Sequence, residues 1–406
     1  MMKYSENYLS LRSWYFILVV ISAAFVIGTR LSQPEMMYFD EVYFVPSARD
    51  MLAGLALGEV THPPLGKLLI SLSIYLFGDT PFAWRLPSCL SGIALVGILY
   101  RLMMAFGSSR TSAALCSLIV VCDGLCVTQA RIGILNAPSV AFGFGALLCA
   151  VRARSVWAGL LLGCSIACKF IGLAFAPLVL SVLLSSLRKD GRELPRRISS
   201  SLVISLLATV ATYFFAFVPL RRFMSSFLSG VWLYHRTMFE HHLVEATLPH
   251  RYQSPWWTWP LSLRPIWYGF EEVPGTDLIR GVLCMASPVT SLLVLLGVIA
   301  ILLRLIIRRN VSWGERVAFG GFVIQFLPWA FSPRLTMYHY YYPALVFGVV
   351  LACLQMERLK ESVRTPIMLV TVLATVVMFI YWYPLWSALP IPRSLYESMI
   401  WFDSWV

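Results

Sequence analysis

The sequence predicts an all-α, polytopic membrane protein with about eleven transmembrane helices, and three observations predict it. Of its 406 residues, 59% are hydrophobic and 13% charged, where a soluble domain carries about a quarter charged residues. Continuously apolar runs recur from end to end, and one bilayer crossing needs roughly 20 such residues. The runs do not alternate polar with apolar positions, which argues against a β-barrel.

Hydrophobic windows place the spans at roughly 13–33, 86–106, 111–128, 136–151, 155–171, 173–187, 200–220, 282–307, 313–331, 338–356 and 365–387. The first lacks a small-residue cleavage pattern before the acids that follow it, so it reads as a retained span instead of a signal peptide. The fifth and sixth lie close enough to form one bent unit. The whole of 1–406 reads as one transmembrane unit without an internal repeat.

The net charge is +12, but the basic residues do not form one patch of the kind that binds nucleic acid. They gather in short loops: Lys3, Arg12, Arg101, Arg110, Arg152, Arg154, "RKDGRELPRR", "RLIIRR", Arg316 and "ERLKESVR". The positive-inside bias puts these loops and the N-terminus in the cytoplasm. Most remaining acids then face outward. Seven of the nine cysteines sit clearly inside apolar segments, where they read as small core-filling residues and not as a zinc or disulfide framework.

Two outward segments are long, 34–85 and 221–281, and long connections in compact proteins are usually functional. The first opens with "YFDEVYFVPSARDMLAG", which sets Asp40 and Glu41 among Tyr38, Phe39, Val42, Tyr43 and Phe44. Apolar neighbours desolvate a carboxylate and raise its pKa, which suits a general base near neutral pH. The same pair could hold a divalent cation. Next comes "THPPLGK", with His62 and Lys67, then Leu65, Leu68, Leu69, Leu72 and Leu76 at helical spacing. That stretch is too short to span and is expected to lie in the interface. Arg85 stands at the mouth of the second span. Lys67 and Arg85 suit either an anion site or snorkelling to headgroups.

Further ionisable residues sit where charge is costly: Lys169 in "GCSIACKFIGLAFAP", Arg131 in "TQARIGILN", and Arg334 and His339 in "LPWAFSPRLTMYHYYYP". Intramembrane ionisable groups are functional candidates by default. Asp123 could pair with one of them for structure or serve chemistry. Trp256 and Trp257 begin a run that fits either an interfacial aromatic belt or a sugar platform. Together these residues describe an outward pocket with a carboxylate pair and several cations. It suits a lipid-linked phosphate, which Arg binds bidentately and Lys as a point charge.

The motifs "YFDEVYFVPSARDMLAG", "HPPLGKLLISLSIYLFGDTPFAWRLPS", "CDGLCVTQARIGIL", "CKFIGL", "SPWWTWPLSLRPIWY" and "LPWAFSPRLTMYHYYYPAL" occur in this order. From about residue 36 to 385 the chain resembles the protein O-mannosyltransferase and polyprenyl-phosphate-dependent glycosyltransferase family of the GT-C membrane class. The resemblance implies eleven spans and an active site facing the periplasm or lumen. It implies inverting transfer of a sugar, usually mannose, from a polyprenyl- or dolichyl-phosphate to a Ser or Thr hydroxyl of an exported protein. By position Asp40 would be the general base and Glu41 its acidic neighbour. Arg85 would serve activity or donor handling, and Arg334 and His339 would face the donor. Lys169, His62, Lys67 and Arg131 complete the candidate phosphate-binding set.

Two departures stand out. Asn136 replaces an acid that such proteins often carry, and no large β-rich insertion interrupts 221–281. The first weakens any role for a second carboxylate in acceptor or metal binding; the second points to an enzyme of the bacterial plasma membrane, with no certain cofactor. An enzyme of the same fold acting on a lipid or cell-wall glycan is the competing reading. A transporter is the remote one, since no inverted repeat is evident.

Overall fold

The computed structural model describes residues 14–189, 195–244 and 250–405. The expected basic residues Lys3 and Arg12, and 190–194 of the "RKDGRELPRR" loop, lie outside them. The chain is mainly helical, and each expected span falls on a helix or a broken helix. They are α1 (Trp14–Gly28), α4 (Pro81–Ala105), α5 (Arg110–Val121) with α6 (Gly124–Arg131), α7 (Asn136–Val151), α8 (Ser155–Cys168), α9 (Ala176–Lys189), α10 (Pro195–Phe215), α12 (Pro288–Ile306), α13 (Trp313–Phe326), α14 (Tyr342–Met356) and α15 (Glu361–Trp386). Among the described residues six helices are long and apolar enough to cross a membrane, or seven if the bent pair α5–α6 forms one span. α1, α7 and α8 are apolar but shorter.

Local chemistry sets the starts. Thr80 accepts from the Ala83 amide (3.3 Å) at the head of α4, with Pro81 in the first helical position. Ser312 and Glu315 form a reciprocal capping box on α13. Asp123 breaks α5 from α6, because its carboxylate accepts the Cys126 amide (3.1 Å) and restarts the helix at an angle of 64°. That carboxylate also accepts the Ser287 amide (2.9 Å) ahead of α12. Its structural role is therefore accounted for.

Gly159 and Gly163 let α8 approach the α10 backbone so closely that a Cβ at either would collide with Ser205 or Thr209. Small residues four apart serve this purpose in lipid, where burial of apolar surface drives no association. α14 is buried almost all round and forms the centre of the bundle. By contrast α10, α12 and α15 keep broad apolar faces exposed, such as Leu206, Leu207, Leu303 and Leu369, as lipid contact requires.

Two outward features complete the fold. Between α1 and α4 lie α2 (Glu41–Ala53) and α3 (Leu65–Phe77), which pack on each other and on α4. α3 buries Gly66, Lys67, Ile70 and Ser71 and exposes Leu72, Tyr75 and Phe77. Between α10 and α12 lie α11 (Phe227–Leu243) and an antiparallel hairpin, β1 (Ile266–Glu272) and β2 (Leu278–Cys284). A two-residue strand β3 (Ile391–Pro392) adds to β2, and α16 (Arg393–Met399) follows. The small sheet departs from an all-helical expectation. It also moves the eighth span's start from 282 to Pro288, because the apolar run "LIRGVLC" is a strand that hydropathy cannot tell from a helix start.

Candidate active site

Asp40 stands at the N-cap position of α2, yet its side chain makes no capping hydrogen bond. The half-buried carboxylate is therefore left available. Burial raises its pKa to about 6, opposed by the positive charge of Lys169 and reinforced by Glu59. Phe39, just before it, holds a left-handed backbone at φ 51°, a costly state that surrounding contacts must impose. Its ring stacks on Tyr268 at 4.0 Å and meets His339 edge-on at 5.7 Å. The Tyr268 hydroxyl accepts from the Gln129 amide, whose oxygen accepts from Asn136 Nδ2 at 2.9 Å. Asn136 thus supports the stack that orients the residue before Asp40.

Glu41 points the other way. It is fully buried and takes Arg85 in a fork, Nε to Oε1 at 2.7 Å and Nη2 to Oε2 at 3.0 Å. The Gly133 amide (2.8 Å) and the Tyr38 amide (3.3 Å) donate to the same carboxylate. Arg85 gives its remaining N–H groups to the carbonyls of Leu31 (3.0 Å), Pro34 (2.8 Å) and Met36 (3.1 Å). All five of its donors are committed to protein, so none is directed at a phosphate. The pair ties the α1–α2 connection to α4 and to the turn before α7.

Two further cations are similarly engaged. Arg131 donates to the last carbonyls of α1 and the turn beyond it: Val26 (3.1 Å), Ile27 (2.7 Å), Thr29 (2.7 Å) and Arg30 (3.3 Å). The buried Lys67 binds Glu59 Oε2 (2.7 Å), the Glu59 and His62 carbonyls, and the Tyr234 hydroxyl (3.0 Å) of α11. His62 hydrogen-bonds Glu59 Oε1 at 3.2 Å. Burial and the Lys169 charge push its pKa down to about 3, so the ring is neutral.

Lys169, Arg334 and His62 instead line a cavity of about 210 Å³. Lys169 sits in extended backbone at the break after α8 (φ −160°, ψ 145°), with Nζ 5.8 Å from the Tyr340 ring centroid. Arg334 donates to the Tyr340 hydroxyl (2.8 Å) and contacts His242 Nδ1 (3.2 Å), while its buried Nε has no partner. His242 is held neutral, its pKa pushed down to about 4 by burial and then Arg334. His339 is buried beside this cluster, with Nδ1 unpartnered.

A second, larger cavity of about 690 Å³ has Asp40 in its wall, with Tyr43, Tyr252 and the β1 stretch from Trp267 to Phe270 opposite. Asp40 therefore fronts an open cavity while coupling electrostatically to a cation of the smaller one. Trp256 packs against Phe326 and Trp257 is exposed, and neither lines either cavity. Among the described residues no three or more His, Cys, Asp or Glu side chains converge as a metal site. Glu41 Oε1 and Oε2 already accept four N–H groups, so Glu41 is not free to share an ion with Asp40.

Sequence reasoning missed Glu59, Tyr234, His242, Gln325 and Tyr340. Glu59 had a signal, standing three residues before His62, and Tyr340 adjoins His339 in a quoted motif. Gln325 had none.

Comparison with known proteins places the chain in a family. Residues 61–222 match the family described as dolichyl-phosphate-mannose-protein mannosyltransferase, and 227–405 match the C-terminal four-TMM region of protein O-mannosyltransferase. The polyprenol-phosphate-mannose–protein mannosyltransferase of Mycolicibacterium smegmatis is 24% identical, over 90% of this chain and 87% of its own. Its Mycobacterium tuberculosis counterpart is 26% identical over 90% and 86%. In structure, a chain of the Saccharomyces cerevisiae Pmt1–Pmt2 complex bound to the sugar donor superposes with a TM-score of 0.82 at 13% identity, covering 97% of this chain and 92% of that one. ArnT from Cupriavidus metallidurans bound to undecaprenyl phosphate gives 0.59 at 17%, covering 94% and 75%. The chain belongs to the protein O-mannosyltransferase family, with the GT-C membrane fold.

Proposed function

We propose that this protein transfers a sugar, mannose by the names of its relatives, from a polyprenyl-phosphate donor to a Ser or Thr hydroxyl of an exported protein, with inversion. The observation that carries the reading is Asp40: a half-buried carboxylate with no capping hydrogen bond, its pKa raised to about 6, in the wall of an open cavity and coupled electrostatically to Lys169 of the cation-lined one.

In this reading the donor phosphate lies in the smaller cavity and the acceptor approaches through the larger. Asp40 takes the hydroxyl proton as the oxygen forms its bond to the anomeric carbon. The bond from that carbon to the phosphate oxygen breaks, and its electron pair leaves with the phosphate. Lys169 and Arg334 stabilise the charge that grows there, and fixed cations in a partly dry site are worth more than in water. No acid need protonate the leaving group. Glu41, Arg85, Arg131 and Lys67 position the loops and touch neither reactant. The basic-loop bias supports an outward-facing site in a bacterial plasma membrane, with the N-terminus in the cytoplasm.

The test is transfer from radiolabelled polyprenyl-phosphate mannose to a Ser/Thr-rich exported peptide, comparing purified wild type with Asp40→Asn. Label on the peptide with wild type only, and a loss of about 10²–10⁴-fold in the variant, is expected for a general base. Equal turnover in the variant removes the base. Donor binding without transfer to any peptide removes the protein acceptor.

A further inference from the structure

Gln325 lies in the last turn of α13 with 3% of its surface exposed. Neither Oε1 nor Nε2 of its side chain has a hydrogen-bond partner, although its backbone carbonyl accepts from Trp329 Nε1 at 3.1 Å. Burying an amide with both ends unpaired costs free energy, and such groups are uncommon enough to need a reason. The reason is where it sits. Gln325 lines the same cavity of about 210 Å³ as Lys169, Arg334 and Tyr340.

The chemistry of that wall narrows what the amide meets. Lys169 and Arg334 are pure donors and suit phosphate oxygens, which accept and do not donate. The carbonyl end of Gln325 is an acceptor and would repel a phosphate oxygen. It needs a donor from the ligand, while the amide end needs an acceptor. A sugar hydroxyl offers both at one atom. Resting on the donor-cavity reading above, we propose that Gln325 hydrogen-bonds a hydroxyl of the transferred sugar and determines donor specificity. It separates a sugar-bearing lipid phosphate from the bare one.

A site built to hydrogen-bond a substrate hydroxyl discriminates strongly, because its own buried groups are otherwise left unpaired. The unliganded protein therefore carries an amide that an apolar residue of similar size would replace at no loss of stability. That is the signature of a binding group, since a structural amide would destabilise when removed.

The experiment measures binding of polyprenyl-phosphate mannose and of sugar-free polyprenyl phosphate to purified wild type, Gln325→Leu and Gln325→Met, with thermal midpoints. Expected are roughly tenfold or greater weakening for the mannosylated lipid, unchanged affinity for the bare lipid, and an equal or higher midpoint without ligand. Equal weakening for both lipids overturns the proposal and assigns the amide to phosphate. Unchanged affinity for both, or a fallen midpoint in both variants, assigns it to the fold. Binding is read without turnover, so wild type that binds the donor yet transfers nothing defeats the protein-acceptor reading and leaves the Gln325 comparison standing.

Discussion

Two regions of this molecule gather buried or half-buried cations, one tied to Glu41 through Arg85 and one coupled to Asp40 through Lys169, and they differ in one respect. Around Glu41, Arg85, Arg131 and Lys67 the hydrogen-bonding capacity is filled: Arg85 alone reaches Glu41, Leu31, Pro34 and Met36. Around Lys169, Arg334, His339 and Gln325 it is not, with Arg334 Nε, His339 Nδ1 and both ends of Gln325 unpartnered. A saturated buried ion stabilises one arrangement of its loops. An unsaturated one keeps capacity for a ligand. The comparison teaches that a costly charge marks importance, and that its partners decide which kind.

The largest effect that tests this contrast is on stability. Arg85→Ala leaves the Glu41 carboxylate buried without its ion, a loss of about 3–5 kcal/mol. Arg85→Lys should recover little, since one ammonium cannot reach a fork and three carbonyls together. Thermal unfolding in detergent should drop sharply for both, with Glu41→Gln close behind. An Arg85→Ala protein that melts like wild type but no longer binds donor would dissolve the contrast and return Arg85 to the phosphate.

On the unsaturated side the effect moves from stability to donor binding. Arg334→Ala and Lys169→Met should fold normally and raise the apparent donor KM by about 10–100-fold, the worth of one charge-assisted contact. The acceptor KM should change much less. A variant that weakens both substrates equally would mean that the cation shapes the whole pocket instead of contacting the phosphate.

Much of this was legible beforehand, and the limits have physical causes. Asp40, Lys169 and Arg334 stand out because charge in an apolar context costs free energy whatever it does. The same cost makes Glu41, Arg85 and Arg131 equally visible, and no spacing shows that Arg131 meets the end of α1 about a hundred residues away. Partners distant in sequence are set by packing. Gln325 in "FVIQFLPW" is an ordinary residue until its neighbours are known to leave its amide unpaired. The hairpin was hidden because seven residues, mostly apolar, suit a strand and a helix start alike.

The smallest expected effect sharpens the comparison most, because it links Asp40 to one cation. With the Asp40 pKa at about 6, kcat/KM should rise with pH as the carboxylate deprotonates and level off above that value. Below it, activity should fall about tenfold per pH unit, since only the ionised form accepts a proton. Lys169 lowers this pKa by favouring the carboxylate, so Lys169→Met should move the acidic limb to higher pH. Arg85→Lys, on the saturated side, should leave the limb in place in whatever protein remains folded, since Arg85 is not among the groups that set the Asp40 pKa. A limb that stays put in Lys169→Met would mean that the lysine's charge does not reach Asp40, and the two cavities would have to be treated as separate sites.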